Sequence, residues 1–207
     1  GEVLSNAIPK NLRNGKPAVI KKPSEVHDKV LLNNFELTTE QNFAINEVLK
    51  SSSEFNGFLL HGVTGSGKTE VYLSITEQLL KHGKQVLVLV PEIGLTPQMI
   101  SRFEQRIKDR VVAVHSQLND TQKQDAYLMA KGGDAKVILG TRSAIFTPIP
   151  NLGLVIVDEE HDSSFKQQSN FRYSARDLSF MRAKFANVPL ILGTATPSLE
   201  TLKNVIE

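Results

Sequence analysis

Short apolar runs separated by amphipathic stretches of helix length fill the chain from about Leu37 to its end. Several runs are continuous rather than alternating, which is typical of parallel strands buried on both faces of a sheet. The predicted strands are Phe58–Leu60, Val86–Val90, Val111–Val114, Lys136–Leu139, Leu154–Val157 and Leu190–Leu192. This alternation of strands and helices predicts an α/β fold with a mostly parallel open sheet and helices on both faces.

The clearest predicted helix runs from Thr69 to Lys81. Val71, Ile75, Gln78 and Leu79 recur at helical spacing, so they are expected to share the face that packs on the sheet. A glycine two residues after the last lysine is a common signal for the end of a helix.

Residues 1–36 do not share the strand and helix pattern. Their first apolar residues begin at helical spacing, but Pro9 interrupts it. Residues 14–23 hold a glycine and two prolines, a composition that favours a connector. The sequence therefore predicts an N-terminal appendage and linker over residues 1–36, followed by one folded domain over residues 37–207.

The composition narrows the classes of protein and of site. Of the 207 residues, 40% are hydrophobic and 22% charged, which is the balance of a chain with a packed core. The absence of cysteine excludes a disulfide scaffold, a thiolate zinc site and a cysteine nucleophile, and it suits a reducing cytosol. No apolar run approaches the roughly 20 residues of a membrane span, so no membrane partner is expected. The net charge of +2 means that any nucleic-acid contact must come from local patches.

One segment matches the pattern G-x-x-x-x-G-K-[ST] and is called the phosphate loop here. It follows the first predicted strand and opens the clearest helix. Its backbone N–H groups would cradle phosphate oxygens, Lys68 would reach the β- and γ-phosphates of ATP, and the Thr69 hydroxyl would bind Mg²⁺. The alternative, a polar turn with a solvated lysine, does not explain the strand before it and the helix after it. The expected ATP-binding residues of the loop are Gly62, Val63, Thr64, Gly65, Ser66, Gly67, Lys68 and Thr69.

An acidic box, residues 158–161, follows the apolar strand that ends at Val157. Ligands of open α/β sheets bind at the carboxyl ends of the strands, so the box and the phosphate loop should share one edge. Asp158 is expected to bind Mg²⁺ directly or through water, and Glu159 to activate the attacking water. In isolation a solvated acidic turn would be the better interpretation. Zinc is a poor alternative because His161 has no cysteine partners.

The acidic box of the DExH type, together with Gly193 to Ser198, resembles superfamily-two helicases. The stretches Val90 to Gln98, Gly140 to Phe146 and His161 to Asp177 are similar to the bacterial replication-restart helicases, the PriA or primosomal N′ family. The resemblance runs through nearly all of residues 37–207 and implies a first RecA-like, ATP-binding lobe.

The resemblance also implies roles for single residues. Gln41, otherwise an ordinary surface residue of a helix, resembles the glutamine that reads adenine, since its amide can both donate and accept. Coupling between the acidic box and DNA is implied for four residues, Glu160, His161, Thr194 and Thr196. Binding of single-stranded DNA is implied for Thr141, Arg142, Ser143, Phe165, Lys166, Phe171, Arg172 and Tyr173.

The last five of these DNA-binding residues lie in residues 165–173, called the aromatic-rich segment here. Aromatic rings can stack on bases while interleaved cations hold the phosphates. The alternative is an amphipathic loop whose rings only anchor it to the core. Structural hydrogen bonds are likewise an alternative for the polar residues at 141–143.

The chain departs from this family in what it lacks. A second lobe with an arginine finger, a cysteine-rich zinc-binding insert and the family's C-terminal domain are expected elsewhere, so zinc is expected only there. Residues 1–18 resemble the end of the family's domain for 3′ DNA ends, and too few residues follow for a winged helix. We therefore expect a fragment that binds ATP with Mg²⁺ but hydrolyses it poorly, because the transition-state charge lacks an arginine.

Taken together, these features predict the ATP-binding lobe of a DNA-dependent ATPase and 3′-to-5′ helicase of the bacterial cytoplasm. It would act in replication-fork restart and primosome assembly. The expected partners are single-stranded and forked DNA, with primosome and single-strand-binding proteins met through the full-length protein. A nucleotide-switched binding module without independent hydrolysis is the alternative. A small-molecule kinase would explain the phosphate loop but neither the acidic box nor residues 193–198.

Overall fold

The computed structural model describes residues 8–15, 36–92, 94–167 and 172–198, together with Thr201 and Lys203. Within them the helices are α1 Lys10–Arg13, α2 Thr39–Lys50, α3 Lys68–Lys81, α4 Pro97–Arg106, α5 Asp120–Gly132 and α6 Ala175–Ala186. The strands are β1 Gly57–His61, β2 Gln85–Leu89, β3 Arg110–Val114, β4 Ala135–Gly140, β5 Leu152–Val157, β6 Lys166–Gln167, β7 Tyr173–Ser174 and β8 Leu190–Thr194. Two short 3₁₀ helices span Arg142–Phe146 and Ser163–Phe165.

Six of the strands form one parallel sheet in the order β1-β8-β5-β2-β4-β3. All six strands predicted from apolar runs are present, each within two residues of its expected ends. Strands β6 and β7 form a separate antiparallel pair. The prediction of a mostly parallel sheet is confirmed.

Successive rows of side chains across the sheet enter two different cores. Ile156 of β5 lies opposite Val88 of β2 and belongs to the core under α2, α3 and α4. The next row, with Val157 opposite Leu89, belongs to the core shared with α5, α6 and the first 3₁₀ helix. The period of two along each strand therefore places helices on both faces, as the continuous apolar runs predict.

Helix α3 begins one residue earlier than predicted and ends at Lys81 as expected. Val71, Ile75 and Leu79 are buried against the sheet. Gln78 is exposed, so its placement on the buried face was wrong. The buried side of the helix covers residues 71–76 and Leu79, and Gln78 lies outside it, where its polar amide stays in solvent.

The predicted N-terminal appendage is described only over residues 8–15. There Pro9 precedes α1 as its N-cap, where a proline costs no helical hydrogen bond. Helix α1 contacts α5. The residues of the predicted linker from 16 to 35 lie outside the described part.

Candidate nucleotide site

The strand order explains why separate motifs meet at one place. The phosphate loop follows β1, the acidic box follows β5, and β8 lies between these two strands. Because all three strands are parallel, their carboxyl ends share one edge of the sheet. Thr194, the last residue of β8, accepts a hydrogen bond on its carbonyl from the N–H of Gly62 at 3.0 Å.

The phosphate loop has the backbone shape that an anion cradle needs. Gly65 and Gly67 adopt left-handed conformations with φ of +83° and +86°, which strain any side-chain-bearing residue. Gly67 is also the N-cap of α3, so the first N–H groups of that helix open toward the loop. Val63, Thr64, Gly65 and Ser66 are exposed.

Lys68 is held close to the acidic box. Its side chain is only 9% exposed, and its ammonium donates to the Gly62 carbonyl at 2.7 Å. The same Nζ lies 3.5 Å from Oε1 of Glu159. Thr69, the next residue, is half-buried in the first turn of α3. A cation is therefore already aimed at the edge where phosphates would lie.

Asp158 and Glu159 differ in their surroundings. Asp158 accepts a hydrogen bond on Oδ1 from the hydroxyl of Tyr72 at 2.9 Å, and burial raises the pKa of this carboxyl. Burial, followed by the charge of Asp158, raises the pKa of Tyr72 well above its usual value. Glu159 is more open, with 31% of its side chain exposed, and its backbone has a φ of +48°. A positive φ is uncommon for a residue with a side chain and marks a constrained turn.

His161 and the two threonines of the 193–198 segment form one hydrogen-bonded group. Nδ1 of His161 lies 2.9 Å from Oγ1 of Thr194, and Nε2 lies 3.4 Å from Oγ1 of Thr196. Oε2 of Glu159 accepts from the N–H of Ala195 at 3.4 Å. The acidic box is thus joined to the end of β8 by both side chains and backbone.

Glu160 is a buried carboxylate with several donors. Oε1 accepts from the N–H of Ser198 at 3.1 Å, and Oε2 accepts from the Thr201 hydroxyl at 3.1 Å and from Arg176 at 3.3 Å. Its side chain is fully buried. Because a buried carboxylate needs such partners, Glu160 ties the acidic box to α6 and to the turn after β8.

Gln41 lies beside the phosphate loop. Its Oε1 accepts from the N–H of Thr38 at 3.0 Å, which completes a capping box at the start of α2. Its Nε2 donates to the carbonyl of Ser66 at 3.1 Å. A side chain at Gly67 would collide with this amide. The amide therefore links α2 to the loop.

The residues predicted to bind DNA differ in their exposure to solvent. Thr141 and Phe165 are buried, with 4% and 1% exposure. Phe165 packs in the core that contains α6, so its ring has no open face for a base, and its assignment as a stacking residue is corrected to a core anchor. Ser143, Lys166 and Arg172 are exposed. Phe171 lies outside the described residues.

Arg142 is engaged with its own chain. Its Nη1 donates to the carbonyls of Ser164 at 3.0 Å and Lys166 at 3.2 Å, and its guanidinium lies 6.0 Å from the ring centre of Tyr173. The ring of Tyr173 also packs edge-on against Phe146. In this structure Arg142 holds both ends of the aromatic-rich segment, which is a different contact from the predicted one with phosphate.

Sequence reasoning missed three side chains near the site. Tyr72 was missed because a lone tyrosine on an apolar face is usually core. Arg176 was missed because no sequence pattern pairs it with Glu160. Arg106 of α4 binds two carboxylates of α3, Glu70 and Glu77, each at 2.8 Å, and only the fold brings these helices together.

The residues at this edge fit a nucleotide with a divalent cation. The loop offers backbone donors and an ammonium, while Thr69 and Asp158 offer the oxygen atoms that Mg²⁺ prefers. Within the described residues, no group of three or more His, Cys, Asp or Glu side chains could hold a metal ion by itself.

None of the helices in the described part of the chain is long and apolar enough to cross a membrane.

The sequence profile of the DEAD/DEAH box helicases matches residues 38–205. The replication restart protein PriA of Haemophilus influenzae is 51% identical over 173 residues, which are 84% of this chain and 24% of that protein. The PriA protein of Synechocystis is 53% identical over 171 residues, or 82% of this chain and 20% of that protein. The chain therefore spans about a quarter or less of the length of these relatives, and the resemblance stated from the sequence is confirmed.

Solved structures show the same fold. RecG bound to a three-way DNA junction superposes with a TM-score of 0.60 at 24% identity, over 82% of this chain and 22% of that chain. The UvsW helicase of bacteriophage T4 gives a TM-score of 0.56 at 17% identity, over 83% of this chain and 57% of that chain. These likenesses show a shared fold, and the prediction of a RecA-like lobe is confirmed.

Proposed function

The chain belongs to the DEAD/DEAH box helicase family, and from this premise we propose that it is the ATP-binding first lobe of a DNA-dependent ATPase. The single observation that supports this most directly is the approach of Lys68 to Glu159, 3.5 Å apart at the edge where the phosphate loop opens. The ammonium group that would bind the phosphates therefore lies next to the carboxylate that would activate the attacking water.

In this proposal the phosphate loop binds the triphosphate through its backbone N–H groups and Lys68. Gln41 contributes to the adenine side of the site. Mg²⁺, held with Thr69 and Asp158, would neutralise charge between the phosphates. Each of these side chains serves to bind and orient the substrate before any bond changes.

Glu159 is the proposed general base. It would accept a proton from the water that attacks the γ-phosphorus, and the bond between that phosphorus and the bridging oxygen would break to release ADP. Lys68 would stabilise the negative charge that develops on the phosphate oxygens. The contacts of His161 with Thr194 and Thr196 offer a path by which this edge responds to DNA. The alternative of a nucleotide switch without hydrolysis is not favoured, because a helicase match and a carboxylate beside the lysine both fit turnover.

For the complete protein we propose 3′-to-5′ helicase activity in replication restart, in the bacterial cytoplasm. The PriA relatives are named replication restart proteins, which supports this assignment. Exposed Lys166 and Arg172 with half-buried Tyr173 are the proposed contacts for single-stranded or forked DNA. We propose that primosome proteins, single-strand-binding protein and zinc bind to parts of the complete protein outside this chain. The arginine that completes hydrolysis is proposed to lie there too. By itself the chain would bind ATP and hydrolyse it slowly.

The test is ATP hydrolysis by the complete protein with and without single-stranded DNA. Lys68→Ala should lower the DNA-stimulated rate at least about 100-fold, because the cation facing the transferred phosphate is lost. Lys81→Ala, at the exposed far end of the same helix, is the matched control and should leave the rate unchanged. Full activity of Lys68→Ala would contradict the proposal.

A further inference from the structure

Helix α3 presents two side chains to the two consecutive carboxylates of the acidic box. Lys68 and Tyr72 are four residues apart and therefore lie on the same face, one turn apart. Lys68 reaches Glu159, and the hydroxyl of Tyr72 donates to Oδ1 of Asp158 at 2.9 Å. Tyr72 has no exposed surface. The buried hydroxyl of Tyr72 therefore contacts Asp158, the proposed Mg²⁺ ligand.

Gly193, the first residue of the 193–198 segment, makes the space for this bond. A Cβ built on Gly193 would collide with the Tyr72 hydroxyl and would lie 3.0 Å from Oδ1 of Asp158. Gly193 is not among the glycines with positive φ, so its backbone conformation does not require glycine. The absence of a side chain there is explained by room for the tyrosine hydroxyl.

We infer that Tyr72 is a positioning residue that fixes the orientation of the Asp158 carboxylate for the divalent cation, in a gap kept open by Gly193. This inference rests on the proposed function, since it needs Asp158 to face Mg²⁺. Carboxylate ligands of metals are commonly held by a further hydrogen bond, and loss of that bond typically lowers metal affinity about 10- to 100-fold. The tyrosine supplies that bond from a rigid helix.

A purely structural role for Tyr72 makes a different prediction. If the side chain only fills the core, phenylalanine would replace it fully, because the two rings have nearly the same volume. If the hydroxyl positions Asp158, Tyr72→Phe keeps the core but frees the carboxylate to rotate. The two roles therefore separate in the dependence of nucleotide binding on Mg²⁺.

The experiment uses the 207-residue chain and a fluorescent, non-hydrolysable ATP analogue, titrated over a range of Mg²⁺ concentrations. Tyr72→Phe should raise the Mg²⁺ concentration for half-maximal binding about tenfold, while binding at saturating Mg²⁺ is retained. Tyr127→Phe removes a hydroxyl from α5, on the other face of the sheet, and should leave the titration unchanged.

The outcomes distinguish the inference from the function on which it rests. If the wild-type chain binds the analogue and Tyr72→Phe needs an Mg²⁺ concentration within about twofold of the wild-type value for half-maximal binding, the positioning role alone is overturned. No binding of the analogue by the wild-type chain at any Mg²⁺ concentration overturns the proposed nucleotide site and the inference with it. A shift in Tyr72→Phe with none in Tyr127→Phe supports both.

Gly193→Ala gives a second, independent measurement. In the wild-type background the added methyl group meets the Tyr72 hydroxyl and should lower the thermal unfolding midpoint. In the Tyr72→Phe background that oxygen is gone, so the loss should be smaller, although Cζ of the ring still lies 3.0 Å away. Equal losses in the two backgrounds would show that Gly193 does not serve the hydroxyl, since independent sites are additive.

Discussion

The nucleotide edge, formed by the phosphate loop and the acidic box, differs in a basic way from the loop face, which consists of residues 141–146, 163–167 and 172–174. At the nucleotide edge, charged groups approach one another, with Lys68 beside Glu159. At the loop face, Arg142 binds the carbonyls of its own chain and Phe165 lies in the core. The first region presents charged groups at an open edge, whereas two of the predicted DNA contacts in the second are engaged with the chain itself.

The difference shows that residue type does not determine role. An arginine can bind phosphate or two carbonyls equally well, since it has five donors and no acceptor. The phosphate loop is more specific, because its glycines allow the left-handed backbone at Gly65 and Gly67 that other residues rarely adopt. Motifs that rest on backbone shape are therefore more safely interpreted from sequence than motifs that rest on a side chain.

The largest effect is expected for substitution of Glu159, the proposed base, whose neighbour Glu160 has a structural role instead. Glu159→Gln should lower ATP turnover of the complete protein at least about 100-fold, because the proposed base can no longer accept a proton, while nucleotide binding is retained. Glu160→Gln removes the charge from a buried, multiply bonded group and should instead lower the free energy of unfolding by about 1–3 kcal/mol.

Steady-state ATPase assays and denaturant unfolding of both variants check this pair. A Glu159→Gln enzyme that turns over at the wild-type rate would remove the chemical distinction between the two carboxylates. So would a Glu160→Gln protein of unchanged stability, since Glu160 would then have no structural role.

A smaller effect is expected at the loop face. Arg142→Ala leaves the carbonyls of Ser164 and Lys166 without their donor and should lower stability by about 1–2 kcal/mol. DNA stimulation of ATPase should fall about tenfold as the aromatic-rich segment loses its support, with nucleotide binding unchanged. Arg172→Ala, at an exposed position, is the control and should weaken DNA binding without loss of stability.

Unfolding curves and DNA titrations of these two arginine variants decide between support and direct contact. If Arg142→Ala kept full stability and weakened DNA binding as much as Arg172→Ala, Arg142 would be a phosphate contact after all. The loop face would then bind its ligand directly through Arg142, as the nucleotide edge is proposed to do through Lys68.

Much of the fold follows from local pattern alone. Continuous apolar runs such as Val86–Val90 indicate buried parallel strands, because a strand covered on both faces needs apolar side chains on both and a run of five residues is short for a buried helix. The strand order was not predictable, since nothing local places β8 between β1 and β5. Consequently the bonds of Glu160 with Arg176 and of Tyr72 with Asp158, which join distant segments, required the structure.

The smallest effect is a pH dependence of stability at Asp158. Burial raises the pKa of this carboxyl, so its contribution to stability is present below its usual pKa of 3.8 and is lost as the pH rises through the raised value. Asp158→Asn keeps an acceptor for the Tyr72 hydroxyl without the charge. It should therefore be more stable than wild type at neutral pH, and the gap should narrow on acidification.

Denaturant unfolding at a series of pH values checks this sign. Asp177→Asn, with 63% of its side chain exposed, is the matched control and should show no comparable gap. If the stability difference between Asp158→Asn and wild type grew as the pH fell, the expected pH dependence would be contradicted.

The whole proposed function depends on binding of the ATP triphosphate by the phosphate loop through Lys68. The most direct test is equilibrium binding of a non-hydrolysable ATP analogue with Mg²⁺ to the 207-residue chain, wild type and Lys68→Ala. We expect saturable binding by the wild type and at least about a tenfold loss in the variant, since a charge-assisted contact to phosphate disappears. Equal affinity of the two proteins would contradict it.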